Sequence, residues 1–310
     1  MISPSDTAGI GRFAPSPTGP LHFGSLVAAL ASYLHAKHHS SKWLVRIEDI
    51  DPPREVPGSS DTILRQLEQH GLVWDDQVIY QSAHVDKFTD ILQQLQDRNL
   101  TYHCQCNRQR LSSLGGVYDG KCSALGLTAR DTALRLAISS LNGVKNSQQY
   151  SIAFTDSIMG QYSQHVRREI GDFILRRRDG LVSYHLAVVV DDEDQGITEV
   201  VRGADLLDST PRQILLQQCL GYRTPTYTHI PLAINSEGQK LSKQTHAKAL
   251  ISGRERENLW LALKWLKQNP NPALKENTVA EILDWGIDNW TLSSIPVSTS
   301  GIPAPEDKIA

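Results

Sequence analysis

The stretch from Gly11 to Ser25 constrains this chain more than any other. A short strand, Gly11-Arg12-Phe13, leads into a loop rich in proline and glycine, Ala14 to Pro20, after which Leu21-His22-Phe23-Gly24 opens an apolar segment. Leu26, Val27, Leu30, Tyr33 and Leu34 recur at helical spacing, which predicts an amphipathic helix from about Gly24 to His38. The start of such a helix presents unpaired N–H groups and the positive end of its dipole, a setting that suits a phosphate. His22 and Gly24 lie at that mouth, and Gly24 has no side chain to obstruct a nucleotide. An ordinary strand-to-helix turn is the competing reading of the same residues.

Strands and helices alternate along much of the chain. Trp43 to Ile47 reads as a strand that runs into Glu48-Asp49-Ile50-Asp51, and carboxylates at the carboxyl end of a strand in an α/β sheet lie where ligands bind. Pro52, Pro53, Pro57 and Gly58 force a loop. The helix after it has Ser59 or Ser60 as its cap, Ile63, Leu64 and Leu67 on its buried face, and Gly71 as terminator. A further helix, about His84 to Arg98, buries Phe88, Ile91, Leu92 and Leu95. The pattern resumes at Asp172-Phe173-Ile174-Leu175, and Asp179-Gly180 reads as a hairpin turn. Tyr184 to Val190 is nearly continuously apolar, as a buried central strand requires, and ends in Asp191-Asp192. Ile197 to Arg202 reads as another strand. Ser209 or Thr210 caps the next helix, with Pro211 in its first turn and Gly221 at its end. Tyr227 to Ile234 alternates like a strand and leads into Lys240-Leu241-Ser242-Lys243-Gln244. This alternation predicts an α/β fold with a mostly parallel sheet.

The 310 residues suffice for two domains, or for one interrupted by an insertion. Residues 1–98 and 166–245 read as the two halves of the sheet domain, and 99–165 as an insertion between them. Residues 246–310 read as a small helical region carrying Leu259, Trp260, Leu263 and Leu266 on one helix and Val279, Ile282 and Leu283 on another. From about Ser293 the chain is rich in Ser and Pro and is expected to be frayed. No apolar run reaches the roughly 18 residues of a membrane span, and no signal pattern opens the chain, so a cytoplasmic protein without membrane contact is expected. With a net charge of -3, any nucleic-acid binding must come from local patches such as Arg167-Arg168 or Arg176-Arg177-Arg178. Three of the four cysteines, Cys104, Cys106 and Cys122, are close in sequence, which in a cytosolic protein favours a metal over disulfides. Cys219 falls in an apolar helix and reads as core.

Two of these stretches resemble known signatures. Pro15 to Gly24 resembles the HIGH region of class I aminoacyl-tRNA synthetases, and Lys240-Leu241-Ser242-Lys243-Gln244 resembles their KMSKS loop, with Gln244 in place of the usual serine. Between them, Tyr184 to Asp192 and Val201 to Gln213 resemble the glutamyl-tRNA synthetase catalytic core. The likeness spans about residues 11 to 250. The segment after Gln244 is shorter than the anticodon-binding domain of a glutamyl-tRNA synthetase, and this shortened form resembles the glutamyl-queuosine tRNA(Asp) synthetase family.

The resemblance implies a Rossmann-like class I synthetase domain with a zinc-containing insertion. It also implies activation of L-glutamate by ATP and its transfer to the queuosine base in the anticodon of tRNA(Asp). Arg12 would grip the glutamate side-chain carboxylate with help from Tyr184, Glu48 would meet the ammonium group, and Arg202 the α-carboxylate. Ala14 and Ser16 would line the pocket. His22 and Gly24 would hold ATP with Lys240, and Lys243 would neutralise the departing pyrophosphate, so His22 and Lys243 are the catalytic candidates. Mg²⁺ is expected on the ATP phosphates. Three thiolates suit a structural Zn²⁺, and the family places a tyrosine as fourth ligand, here Tyr118, with His103 as the alternative. Arg46 is expected to be structural, and Asp49 and Asp51 to cap loops. A monomer is expected. The competing functions are a minimal glutamyl-tRNA synthetase that charges a tRNA 3′ end and an inactive homologue that binds RNA or nucleotide.

Overall fold

A computed structural model of the protein describes residues 9–141, 149–242 and 247–305. Strand β1 (Ile10–Phe13) passes through the proline-rich loop into helix α1 (Phe23–His38). Then β2 (Lys42–Ile47), α2 (Ser59–Gln69), β3 (Ile79–Tyr80) and α3 (Val85–Asp97) alternate. The middle of the chain holds β4 (Thr101–Cys104), the short α4 (Arg108–Ser112), β5 (Ala133–Leu136), a hairpin of β6 (Ser151–Asp156) and β7 (Gly160–His165), and β8 (Ile174–Arg176). There follow α5 (Tyr184–Asp194), β9 (Glu199–Gly203), α6 (Thr210–Leu220), β10 (Thr226–Ile230) and β11 (Ala233–Ile234). The chain ends with α7 (Glu255–Trp265), α8 (Val279–Asp288) and β12 (Ile302–Pro303).

Five strands form one sheet in the order β10-β9-β1-β2-β3, and its pairings are parallel, as the alternation of elements predicts. Helices cover both faces. One core joins α1, α2, α7 and α8 through residues such as Leu30, Leu34, Leu67, Leu263 and Ile282. The other joins α3, α5 and α6 through Phe88, Leu92, Leu186, Val189 and Leu216.

The two-residue period of a strand then decides where the polar side chains go. In β2, Trp43, Val45 and Ile47 enter the first core and Leu44 the second, which places Arg46 on the second face. Phe13 likewise turns to the first core, leaving Arg12 on the other side. In β9, Val201 and Val200 divide in the same way, so Arg202 shares the face of Val200. In β10, Ile230 and Tyr227 divide, and His229 lies with Tyr227. Three arginines and a histidine thus share the sheet face that α5 and α6 cover.

Besides the start of α2, where Gly58 and not Ser59 or Ser60 stands at the N-cap, the structure departs from the sequence reading in three larger places. Tyr184 to Val190 is the body of helix α5, not a central strand. The Ser183 hydroxyl accepts the N–H of Leu186 and caps the helix, and Leu186 to Asp192 are all buried. A helix packed on every side is as uniformly apolar as a buried strand, so periodicity could not separate the two. Second, Ile174–Arg176 pairs antiparallel with Ala133–Leu136, which also pairs antiparallel with Thr101–Cys104. The strand therefore belongs to a small three-stranded sheet and not to the parallel one. Third, part of the Ser- and Pro-rich C-terminal segment is ordered: Ile295 is buried, β12 pairs with β11, and Trp265 Nε1 donates to the Pro303 carbonyl at 3.0 Å. Composition marks this segment as poor in regular structure, yet a few apolar anchors hold it. No helix among the described residues is long and apolar enough to cross a membrane.

The α1–α8 contact is closely fitted: a Cβ added at Gly286 would stand 3.0 Å from Leu34 Cδ2. Leu34→Ala should therefore lower the unfolding free energy by about 2–5 kcal/mol. At the exposed Val73, replacement by alanine should change it by no more than about 0.5 kcal/mol. Urea denaturation of both variants checks this, and equal effects would contradict the packing described.

Candidate active site

The carboxyl ends of β1, β2, β9 and β10 surround a cavity of about 610 Å³ whose wall includes Arg12, His22, Glu48, Tyr184 and Arg202. Ala14, Ser16, Gly24 and Lys240 also border it. The loops after β1 and β2 are tied by the Glu48 N–H, which donates to the Pro15 carbonyl at 3.0 Å. The structure thus brings together every sequence-predicted glutamate or ATP residue except Lys243. Lys243 and Gln244 lie outside the described residues.

Beneath the cavity lies a buried cluster of charges. Asp192, from α5, accepts Arg12 Nε at 3.2 Å and Nη2 at 3.3 Å, and Arg46 Nη2 at 2.6 Å. Asp191 accepts Gln81 Nε2 at 2.8 Å and meets His84 Nδ1 at 2.7 Å, while Arg46 also donates to Gln195. Arg46 is fully buried and serves the cluster, as its mid-strand place suggests. Burial favours the neutral Asp192 carboxyl, but Arg12 and Arg46 together hold it below the usual carboxylate range. Burial also opposes the charge on Arg12, and Asp192 overcomes that and raises its proton affinity. For Glu48 the balance is reversed: burial pushes its carboxyl up to about 7, against the pull of Arg46 and Arg12.

His22 is the N-cap of α1. Its Nδ1 accepts the Ser25 N–H at 3.2 Å, and its own N–H donates to Ser25 Oγ at 2.8 Å, which closes a capping box. The proton of the neutral ring therefore belongs on Nε2. A Cβ added at Gly24 would stand 3.2 Å from His22 Cε1 and 3.5 Å from Ala233 Cβ, so glycine lets the ring and β11 close together. Arg202 donates through Nε to His229 at 3.0 Å and through Nη2 to Thr210 and Gln213 at 2.8 Å each. Lys240 forms an ion pair with Asp205. Asp49 accepts the N–H and hydroxyl of Ser82, and Asp51 receives Arg54 and Arg177, so both pin loops as expected. Arg178 donates to the Gln105 carbonyl, so two members of the arginine run are engaged within the fold.

A second cavity of about 540 Å³ shares Ser16, Thr18, Glu48, Arg54 and Tyr184 with the first and runs on to Tyr118, Arg135 and Asp172. At its far end the Sγ atoms of Cys104, Cys106 and Cys122 lie within 4.8 Å of one another. The Tyr118 hydroxyl stands 3.5 Å from Cys104 Sγ and 3.3 Å from Cys106 Sγ, and it accepts the Cys122 N–H at 3.1 Å. His103 turns away to Thr132 Oγ1 at 3.0 Å. All four cysteines are free thiols. Three sulfurs and a phenol oxygen converging on one point form a donor set that fits a tetrahedral zinc. Cys219 is partly buried against the second core.

Sequence reasoning missed Asp192 as the partner of Arg12, and it missed Asp156 and His229 behind Arg202. Reading α5 as a strand hid the first. The other two carried no spacing signal, because Asp156 comes from a hairpin distant in sequence.

Residues 10–258 match the family model for tRNA synthetases class I (E and Q), catalytic domain. The chain is similar to the glutamyl-Q tRNA(Asp) synthetase of Citrobacter koseri, with 50% identity over 297 residues that cover 95% of this chain and 96% of that one. To the protein of the same name from Pectobacterium atrosepticum it is 49% identical over 291 residues, covering 94% and 88%. Its fold is similar to that of a glutamate tRNA ligase from Elizabethkingia meningosepticum, with a TM-score of 0.77 and 24% identity over 98% of this chain and 68% of the other.

The raised Glu48 carboxyl has a consequence for stability. Below pH 4.5 it is protonated in both the folded and the unfolded chain; as pH rises, the unfolded chain ionises first, and stability falls until about pH 7. Glu48→Gln removes this loss. Its unfolding free energy relative to the parent should therefore rise by about 2–3 kcal/mol between pH 4.5 and pH 7.5. Denaturation at several pH values measures this difference, and a flat one would contradict the burial of Glu48.

Proposed function

The chain belongs to the class I tRNA synthetases of the glutamate and glutamine group, and from that premise we propose that it activates L-glutamate with ATP and transfers it to the queuosine base in the anticodon of tRNA(Asp). The observation that carries this is similarity along nearly the whole chain to glutamyl-Q tRNA(Asp) synthetases at half identity.

In the first step the glutamate α-carboxylate attacks the α-phosphorus of ATP and pyrophosphate leaves. Positioning and charge stabilisation are what the protein supplies. Arg12, its plane fixed by Asp192, would hold the side-chain carboxylate, with Tyr184 beside it. Glu48 would receive the ammonium group, whose charge favours the ionised carboxylate. Arg202 would meet the α-carboxylate, with Ala14 and Ser16 lining the pocket. His22 and Gly24 at the start of α1 would hold the phosphates with Lys240, exchanging its Asp205 partner, and with Mg²⁺. Lys243 would neutralise the departing pyrophosphate. In the second step a hydroxyl of the queuosine cyclopentene ring attacks the acyl carbon of the glutamyl-adenylate, the ester forms, AMP leaves and the hydroxyl proton is released to solvent. The second cavity suits the acceptor, because it meets the glutamate pocket at Ser16, Glu48 and Tyr184.

Cys104, Cys106, Cys122 and Tyr118 would hold one structural Zn²⁺ and brace the segment that walls the second cavity. Residues 1–98 and 166–245 are the two halves of the catalytic domain in this reading, with β8 of the second half joined to the sheet of the zinc-bearing insertion, 99–165, and 246–310 the helical C-terminal region. The protein would act as a monomer in the cytoplasm.

Purified protein should catalyse glutamate-dependent ATP–pyrophosphate exchange without tRNA. It should then label queuosine-containing tRNA(Asp) and leave tRNA(Asp) without queuosine unlabelled. Labelling of a tRNA(Glu) 3′ end would contradict the acceptor, and absence of exchange would favour an inactive homologue. Lys243→Ala should reduce exchange by about 100-fold or more and leave metal content unchanged. Metal analysis should find zinc in the parent and little in Cys122→Ser; equal zinc in both would contradict the ligand set.

A further inference from the structure

Behind Arg202 runs a buried chain of hydrogen bonds that the reaction steps above do not use. Arg202 Nε donates to His229 Nε2 at 3.0 Å, so that nitrogen must carry a lone pair. The proton of the neutral imidazole then sits on Nδ1, which faces Asp156 Oδ2 at 2.6 Å. Asp156 is fixed in turn by the N–H groups of Ile158, Met159 and His229 at 3.0, 2.8 and 3.0 Å. The side chains of His229 and Asp156 are both fully buried. Burial lowers the proton affinity of His229 against the pull of Asp156, consistent with a neutral ring.

The far edge of the same guanidinium is tethered too, by Nη2 to Thr210 and Gln213. Nη1 is buried and is the one nitrogen of the group without a hydrogen-bond partner among the described residues, an unsatisfied donor on a side chain that forms part of the wall of the first cavity. A planar cation held at two corners can present only the third. We propose that Asp156 and His229 are positioning residues: Asp156 fixes the tautomer of His229, His229 fixes the plane of Arg202, and Nη1 is thereby presented to the substrate α-carboxylate. This rests on the reading of Arg202 as the partner of that carboxylate. It makes the β6–β7 hairpin, which supplies Asp156, part of the amino-acid site although it does not border the first cavity.

The test is Asp156→Asn, which keeps the shape of the side chain. The amide Oδ1 can still accept the backbone N–H groups. Its NH₂ now donates to His229 Nδ1, which drives the proton to Nε2 and sets it against Arg202 Nε–H. Loss of this charge-assisted arrangement should raise the KM for glutamate in the exchange reaction about 10- to 100-fold, with the KM for ATP within about twofold of the parent. Nitrogen-15 NMR of labelled histidine should show His229 as the Nδ1–H tautomer in the parent and as Nε2–H in the variant. A variant with switched tautomer but unchanged glutamate KM would overturn the proposal, as would a rise confined to ATP. Should the variant not fold, the parent alone decides, because an Nε2–H tautomer there is incompatible with the chain of bonds. Exchange by the parent is the control: its absence would count against the function, whereas parental exchange with an unaffected variant would count against the positioning role alone.

Discussion

The architecture of the candidate site depends on Asp192 lying between Arg12 and Arg46. Taking three charges out of water costs several kcal/mol each, and the cost is offset only when the partners are close and their remaining bonds are satisfied. Here strands β1 and β2 supply one guanidinium each from the same sheet face, and α5 supplies the carboxylate between them. Removing the carboxylate would leave two buried cations facing each other. The parallel pairing of β1 with β2, the two-residue period within them and the helical state of α5 are therefore all required for Arg12 to be held in place.

The helical state of α5 has a geometric reason as well. Tyr184 and Asp192 are eight residues apart, which in a helix places them on one face about 12 Å apart along the axis. In a strand the same spacing would span about 26 Å. Only the helix brings both within electrostatic reach of Arg12, where each raises its proton affinity. The valines of the segment favour a strand by propensity, but the covering layer of helices decides its state.

The parallel sheet, helix α1 and the clustering of the cysteines were legible because each rests on local spacing: the period of Leu26, Leu30 and Leu34, the alternation of elements, the short interval from Cys104 to Cys122. Arg12, Glu48 and Arg202 were legible through resemblance, and the structure brings them to one cavity. The partners that aim them were not. Asp192 is 180 residues from Arg12, and Asp156 reaches His229 from a hairpin that pairs with neither β9 nor β10. Such residues look ordinary along the chain because their role exists only across it. The C-terminal segment was misread for a related reason, since composition reports average tendency and not the few contacts, such as Trp265 with Pro303, that order it.

In the proposed function one cavity reads all three charged groups of glutamate, through Arg12, Glu48 and Arg202. A crystal structure with bound L-glutamate tests it most directly. The expected result is the side-chain carboxylate on the Arg12 guanidinium, the ammonium group at Glu48 and the α-carboxylate at Arg202 Nη1, with Asp192 still holding Arg12. Glutamate bound in the reverse sense, with its side chain toward Arg202, or bound with the Arg12–Asp192 pair broken, would contradict it.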